Sequence, residues 1–423
     1  MNPTGSFSKL GEWLGWLETL SPREIVLGLE RVREVQDRLA LRRPPLVINI
    51  AGTNGKGSCA AMLEALLRHG GVRTGCYTSP HLVAYNERTR IDGRPADDDA
   101  LIAALQTVEA TRREVPLTFF EFGTLATLVA FDNAGVGAWI LETGMGGRLD
   151  AVNAVDPDGC LITNIALDHC AWLGDDTESI ACEKAGIMRS SVPVVFGSTS
   201  VPDAIREAAV QAGAGLLLAG RDFTYEALPR DRWSWHGLTH EFHEIRRPAL
   251  AGTSQLDNAA AVLALLEALG GDRLPAAAAA GAAFATLQLD GRFQRVGAHW
   301  ILDVAHNAAA GQALAAALRG VKGKAKLTVI IGMLADKDVA GFVTTLGGCA
   351  DEWIAVSVEG SRGERADNLG RDIANASGKP CLLMHDLGEA LRAADHRAAD
   401  GGRVLVTGSF RVVGPALEWL RAD

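Results

Sequence analysis

Cysteine is scarce in this chain and falls into no ligand or disulfide pattern. The seven cysteines among 423 residues are Cys59, Cys76, Cys160, Cys170, Cys182, Cys349 and Cys381. They include no C-x-x-C pair and are odd in number, so free thiols in a reducing cytoplasm are the simple reading. No targeting segment is expected from the first residues either: Met1 to Leu20 carries Glu12 and Glu18 among scattered apolar residues, with no basic end followed by an apolar block. No apolar run is long enough to span a bilayer. The longest uncharged stretch, between Arg273 and Asp290, is dominated by alanine and interrupted by Pro275 and Gly281, whereas a span needs about 20 strongly apolar residues. Positive charge is in deficit. Lys plus Arg number 41 against 51 Asp plus Glu, a formal charge of −10. That speaks against a general nucleic-acid or membrane-surface binder, but not against an anionic small substrate in a locally positive pocket. No repeat appears at solenoid periods.

What is present is an ordinary globular balance, 48% apolar and 22% charged, in a chain long enough for two or three domains. Apolar residues Val26, Leu29, Val32, Val35 and Leu39 predict a helix over Arg23 to Leu41, stopped by Pro44-Pro45. Leu46 to Ile50 reads as a strand, followed by a Gly-rich turn and a helix from Ser58 to His69. Further strands are expected at Thr74 to Thr78, Gly137 to Glu142, Gly159 to Ile165 and Val192 to Phe196, with helical patterns between them. The alternation argues for a mostly parallel sheet covered by helices. Residues 222–248, richer in Trp, His and charge, read as a β-rich edge. A second α/β series has strands at Trp300 to Val304, Leu327 to Ile331, Trp353 to Val358, Cys381 to Met384 and Arg403 to Thr407. The expected organisation is a domain over 1–288, a linker over 289–297 and a smaller domain over 298–423.

The segment Gly52-Thr53-Asn54-Gly55-Lys56-Gly57-Ser58 sits between a strand and a helix. Glycines there let several backbone N–H groups face a phosphate, and the helix N-terminus adds a favourable dipole. Lys56 can reach the outer phosphates, and Ser58 can offer a hydroxyl to a metal. The spacing departs from the G-x-x-x-x-G-K-[ST] pattern, because Gly57 separates lysine from hydroxyl.

Ligands of open α/β sheets gather beyond the carboxyl ends of strands. Ser79, Glu142 and Asp168-His169 occupy such positions. Hydroxyl, carboxylate and imidazole can all bind a divalent cation, although magnesium prefers oxygen. Taken singly, Ser79 is also a turn residue before Pro80, Glu142 a solvated strand-end acid, and His169 a hydrogen-bonded structural residue. By residue type alone Lys184 is a surface lysine.

Together these segments resemble the folylpolyglutamate synthase/dihydrofolate synthase family, in its bacterial bifunctional form. The resemblance rests on Ala51 to Ser58, Ser79-Pro80-His81-Leu82, Phe120 to Thr124, Glu142 to Ala151 and Leu167-Asp168-His169. It continues through Glu183 to Ile187, Gly291-Arg292-Phe293-Gln294, Asp303-Val304-Ala305-His306-Asn307 and Gly408-Ser409-Phe410. It implies a P-loop N-terminal α/β domain, a smaller Rossmann-like C-terminal α/β domain, and ATP between them. By the same resemblance, Asn54, Gly55, Lys56, Gly57 and Ser58 hold the phosphates, and Asn258, Arg292 and Asp303 complete the nucleotide site. Ser58, Ser79, Glu142 and His169 bind magnesium directly or through water. The pterin substrate contacts Leu27, Gly28 and Leu29, then Thr118, Phe119, Phe120 and Glu121, and Leu149, Asp150 and Ala151. Lys184 matches a lysine carbamylated by carbon dioxide (N6-carboxylysine) in this family and in the related Mur ligases. Two positions depart from the family: Val26 replaces an aspartate, and Ala308 replaces a proline.

The implied reaction is ATP-dependent addition of L-glutamate to dihydropteroate and to reduced folates through an acyl phosphate. Lys56, Lys184 and His306 are its expected catalytic residues. His306 is a candidate base for the glutamate amine, or else a helix-start histidine bonded to backbone. The alternatives are a folylpolyglutamate synthase alone, a Mur-type peptide ligase, and a nucleotide-binding protein without ligase activity. The 51 residues before Gly52 speak against the uridine-binding domain of a Mur-type enzyme. A cytoplasmic monomer is expected.

Overall fold

The computed structural model describes residues 7–20, 26–252, 254–323, 325–398 and 401–422. Among these, strands assemble into three sheets. The largest contains β1 (Leu46–Ala51), β2 (Thr74–Tyr77), β3 (Thr89–Ile91), β4 (Arg94–Pro95), β5 (Ala138–Glu142), β6 (Gly159–Ile162), β7 (Pro193–Phe196) and β8 (Gly215–Leu218). Their order is β4-β3-β2-β5-β1-β6-β7-β8. All pairings from β2 to β8 are parallel, and only β3 and β4 run antiparallel at the edge. Every residue of β1 is buried, as expected of a central parallel strand covered on both faces. Helix Lys56–His69 packs one face together with helix Ser254–Ala268. Helices Leu10–Leu20, Asp98–Arg112 and Phe119–Ala134 build a core on the other.

An antiparallel trio, β9 (Thr224–Leu228), β10 (Arg232–His236) and β11 (Glu241–Arg246), forms the expected β-rich segment. Alternation along β10 buries Trp233 and Trp235 in the core beneath helix Ser254–Ala268. The last sheet joins β12 (Gln294–Val296), β13 (Trp300–Leu302), β14 (Leu327–Ile331), β15 (Glu352–Val356), β16 (Cys381–Met384) and β17 (Arg403–Thr407) in the order β12-β13-β17-β14-β15-β16. It is parallel apart from β12. The N- and C-terminal domains meet closely: a Cβ on Gly414 would lie 1.9 Å from the Leu82 carbonyl oxygen.

Several expected boundaries move for identifiable reasons. The helix expected over Arg23 to Leu41 spans Glu30–Leu39 only, because Gly28 at φ 144° turns the chain ahead of it; Arg23, Glu24 and Ile25 lie outside the described residues. Strand β6 ends at Ile162, three residues early. Beyond it the chain bonds the loop Gly52–Ser58: Thr53 N–H donates to the Asn164 carbonyl at 2.8 Å, and Thr163 Oγ1 donates to the Asn54 carbonyl at 2.6 Å. Strand β13 stops at Leu302 because the Asp303 carboxylate accepts the N–H groups of Phe293 and Ala305, both at 2.8 Å. The segment expected as a linker contains β12, the edge strand of the last sheet.

Candidate active site

Strand β1 delivers the loop Gly52–Ser58 into helix Lys56–His69 at the carboxyl end of the large sheet. Gly55 has φ 90°, and a Cβ there would stand 2.7 Å from Asn258 Oδ1. The backbone therefore needs glycine here on two counts, conformation and close approach. Asn258 is buried on helix Ser254–Ala268 and donates to Gln255 Oε1 at 3.1 Å. Gly57 lies where three elements converge: a Cβ on it would be 3.6 Å from Glu142 Oε2 and 3.9 Å from Arg292 Nη2. Lys56 folds back and donates from Nζ to the carbonyls of Gly52 and Thr53 at 3.1 and 3.3 Å. Ser58 is buried in the first helical turn.

Glu142 ends β5, opposite Ile50 of β1. Its side chain is buried and accepts one hydrogen bond, from Ser79 N–H at 3.3 Å. Burial raises its pKa, against the opposing charges of Lys56 and Arg292. His169, at φ 54°, begins the short helix Cys170–Leu173. Burial lowers its pKa to about 4 despite neighbouring Asp168, with Lys337, Lys56 and His306 adding to the fall, which leaves the ring a neutral potential ligand. The expected metal set thus comes together only in part. Glu142 meets Ser79 and the Gly57-Ser58 turn, and no group of three or more His, Cys, Asp or Glu among the described residues stands close enough to hold a metal ion. The donors do fit an oxygen-preferring cation: Glu142 is a buried carboxylate with lone pairs left over.

The C-terminal domain supplies Arg292, Asp303 and His306. The Arg292 guanidinium lies 5.4 Å over the Phe410 ring. Asp303 is buried and holds the N–H groups of Phe293 and Ala305, so its carboxylate ties together the open end of the β12–β13 hairpin beside Arg292; burial raises its pKa, against the opposing charge of Arg292. His306 Nδ1 is 2.8 Å from the Val304 carbonyl, and Nε2 is 3.4 Å from Asp168 Oδ2. Asn307 caps helix Ala308–Lys322 and exchanges amide hydrogen bonds of 3.1 and 3.2 Å with Asn54, tying this domain to the loop Gly52–Ser58.

Lys184 is 4% exposed, contrary to the surface position its residue type suggests. It ends helix Thr177–Ala185, and Nζ donates to the Gly52 carbonyl at 2.9 Å. Burial, then the charge of Lys56, brings its pKa down to about 7.

The segments expected to contact the pterin meet around the start of helix Phe119–Ala134. Thr118 and Glu121 form a capping box, with Glu121 Oε2 accepting Thr118 N–H at 2.8 Å. Arg31 Nη2 reaches Glu121 Oε1 at 2.6 Å and the Val26 carbonyl at 2.9 Å, so it joins the Leu27-Gly28-Leu29 segment to this helix. Glu121 is therefore committed to protein groups. A Cβ on Gly144 would fall 2.6 Å from the Phe120 ring, so this ring abuts the loop leading to Leu149. The Phe119 ring meets Tyr85 edge to face, with centroids 5.9 Å apart. Asp150 is buried, accepts the N–H groups of Met145 and Val152, and has its pKa pushed up to about 6 by burial; Ala151 is buried beside it. The sequence gives no role to Arg31, Asn164, Asn307 or Lys337; it puts Asp168 at a ligand-gathering strand end but does not show its pairing with Lys337. These two form an ion pair across the domains.

Residues 50–266 match the Mur ligase middle domain, and residues 291–410 match the Mur ligase, glutamate ligase domain. The dihydrofolate synthase/folylpolyglutamate synthase of Escherichia coli is 40% identical over 418 residues, covering 98% of this chain and 96% of its own. Among solved structures, E. coli FolC in complex with DHPP and ADP is similar with a TM-score of 0.93, 38% identity and 99% of each chain covered. A bifunctional folylpolyglutamate synthase/dihydrofolate synthase with Mn, AMPPNP and L-glutamate bound gives a TM-score of 0.90 and 37% identity, covering 100% of both chains.

Proposed function

The chain belongs to the dihydrofolate synthase/folylpolyglutamate synthase family of Mur-type ligases, and from that premise we propose that it joins L-glutamate to dihydropteroate, forming dihydrofolate, and to reduced folates, forming folylpolyglutamates. The acceptor carboxylate attacks the γ-phosphorus of ATP, the bond to the β-phosphate oxygen breaks, and ADP leaves. The acyl phosphate is then attacked at carbon by the glutamate amine; phosphate departs and the amine loses its proton.

The observation that carries this reading is the convergence at Gly57, where a Cβ would lie within 3.9 Å of both the Glu142 carboxylate and the Arg292 guanidinium from the other domain. Phosphoryl transfer is mainly positioning and charge neutralisation. Backbone N–H groups of the Gly52–Ser58 loop receive the phosphates, and Lys56 swings from its two loop carbonyls to the outer phosphate. Arg292 offsets developing charge from the C-terminal side, while Asn258 and Asp303 line the nucleotide. Ser58, Ser79, Glu142 and His169 would hold magnesium, which when bound neutralises phosphate charge. The Nδ1 contact of His306 with the Val304 carbonyl assigns the tautomer with a lone pair on Nε2. Nε2 then takes the amine proton, and Asp168 stabilises the imidazolium.

Lys184 is assigned as the carbamate. A neutral amine adds carbon dioxide with loss of one proton, and burial that brings the lysine to about 7 makes the neutral form available. The anionic product suits a hard cation. No disulfide joins the described cysteines, which supports a reducing cytoplasmic setting; no helix among the described residues is long and apolar enough to cross a membrane. The reading is tested by ADP release from MgATP. Release should require glutamate together with dihydropteroate or a reduced folate; release independent of both acceptors would reject it.

A further inference from the structure

The reaction above draws on His169 and His306, yet the carboxylate between them is held by a residue with no part in that chemistry. Asp168 lies on the loop after β6, in the N-terminal domain. Lys337 lies in the C-terminal domain, on the turn between β14 and helix Val339–Leu346. Their Nζ and Oδ1 atoms are 2.5 Å apart, with the side chains 6% and 8% exposed. The other oxygen, Oδ2, is 3.3 Å from Asn307 Nδ2 and 3.4 Å from His306 Nε2. Three groups of one domain thus converge on a single carboxylate of the other.

The turn presents Lys337 in a fixed direction. Its N–H bonds the Leu334 carbonyl at 3.1 Å, and Ala335 N–H bonds the Arg362 carbonyl at 2.9 Å. The flanking acids are occupied elsewhere: Asp336 pairs with Arg362, and Asp338 caps helix Val339–Leu346 by accepting Gly341 N–H at 2.9 Å. Lys337 therefore sends its charge across the cleft rather than into its own charged turn. A buried ion pair is a weak source of net stability, but removing one member strands the other charge. The most economical role for such a pair, between two domains that must share a substrate, is geometric.

We infer that Lys337 is a positioning residue for ligation: acting through Asp168, it fixes the carboxylate that faces His306 and so sets the C-terminal domain in register over the phosphate loop. This rests on the ligase reading above. The alternative to be excluded is that Lys337 meets a substrate directly, in which case its contribution would be independent of Asp168.

A double-mutant cycle separates the two. Lys337→Met, Asp168→Asn and the double variant are assayed for kcat beside the wild type, with melting temperatures recorded. Displacement by about 1 Å costs on the order of 10²-fold in rate, so Lys337→Met should lose about that much. Lys337→Arg, which keeps charge and donors, should recover most of the loss. The double variant should be no slower than Asp168→Asn alone, because Lys337 then has nothing left to act through. If the two losses multiply, or if Lys337→Met keeps wild-type kcat, the inference is overturned. Should Lys337→Met not fold, Lys337→Gln carries the same cycle. Wild-type enzyme inactive with both acceptors would instead reject the ligase reading, an outcome visible before any variant is compared.

Discussion

Replacing Gly55 by alanine probes the phosphate loop with one methyl group. Gly55 has φ 90°, and the new Cβ would meet Asn258 Oδ1 at 2.7 Å and Nδ2 at 3.1 Å. Left-handed backbone costs a non-glycine residue about 1–2 kcal/mol. Asn258 cannot yield without breaking its 3.1 Å hydrogen bond to Gln255, worth about 1 kcal/mol. In the free protein the loop can relax away from this conflict, so the melting temperature should change little. Nucleotide binding must restore the cradle, and the cost of about 2–3 kcal/mol then appears in kcat/KM for ATP. At about 1.4 kcal/mol per factor of ten, the expected loss is about 30- to 140-fold. The assay is ADP release under varied MgATP with saturating glutamate and dihydropteroate. A Gly55→Ala enzyme within about threefold of wild type would refute the argument that Gly55 and Asn258 together shape the nucleotide site.

Lys56→Ala should abolish ligation while leaving the melting temperature unchanged, since Nζ bonds only two loop carbonyls; near-wild-type kcat at saturating MgATP would contradict its role. Lys184→Ala should lose activity and regain part of it with short-chain carboxylates, which fill the vacated space. In wild type depleted of carbon dioxide, reactivation by dissolved carbon dioxide should quicken as pH rises. The lysine, lowered to about 7, goes from mostly charged to mostly neutral between about pH 6 and 8; a flat profile at constant dissolved carbon dioxide would argue against carbamylation. Arg31→Met removes charge-assisted bonds worth about 1.5–3 kcal/mol and should raise the KM for dihydropteroate about tenfold or more. An unchanged KM would detach the Leu27-Gly28-Leu29 segment from that pocket.

The parts legible in the sequence were those whose chemistry is local. A buried strand, a glycine turn and a helix are stated by consecutive residues around Lys56, and Glu142 announces itself as an acid closing an apolar strand. Burial and long-range pairing were not legible. Lys184 reads as a surface lysine until helix Thr177–Ala185 turns it onto the Gly52 carbonyl. Lys337 lies between two aspartates and reads as a solvated turn, although its partner is 169 positions away. Nor does the sequence show that the Glu121 carboxylate bonds the Thr118 cap and Arg31, 90 positions away. The strand after Gly159 was read too long because its last polar residues, Thr163 and Asn164, gain more from the phosphate loop than from the sheet ladder.

The central claim, ligation through an acyl phosphate, is tested most directly with acceptors carrying heavy oxygen in the carboxylate. Mass spectrometry of the products should show one added glutamyl residue on dihydropteroate and on a reduced folate, with one heavy oxygen transferred to the released phosphate for each amide formed. Phosphate free of label, or ATP consumed with no glutamyl product from either acceptor, would contradict the account.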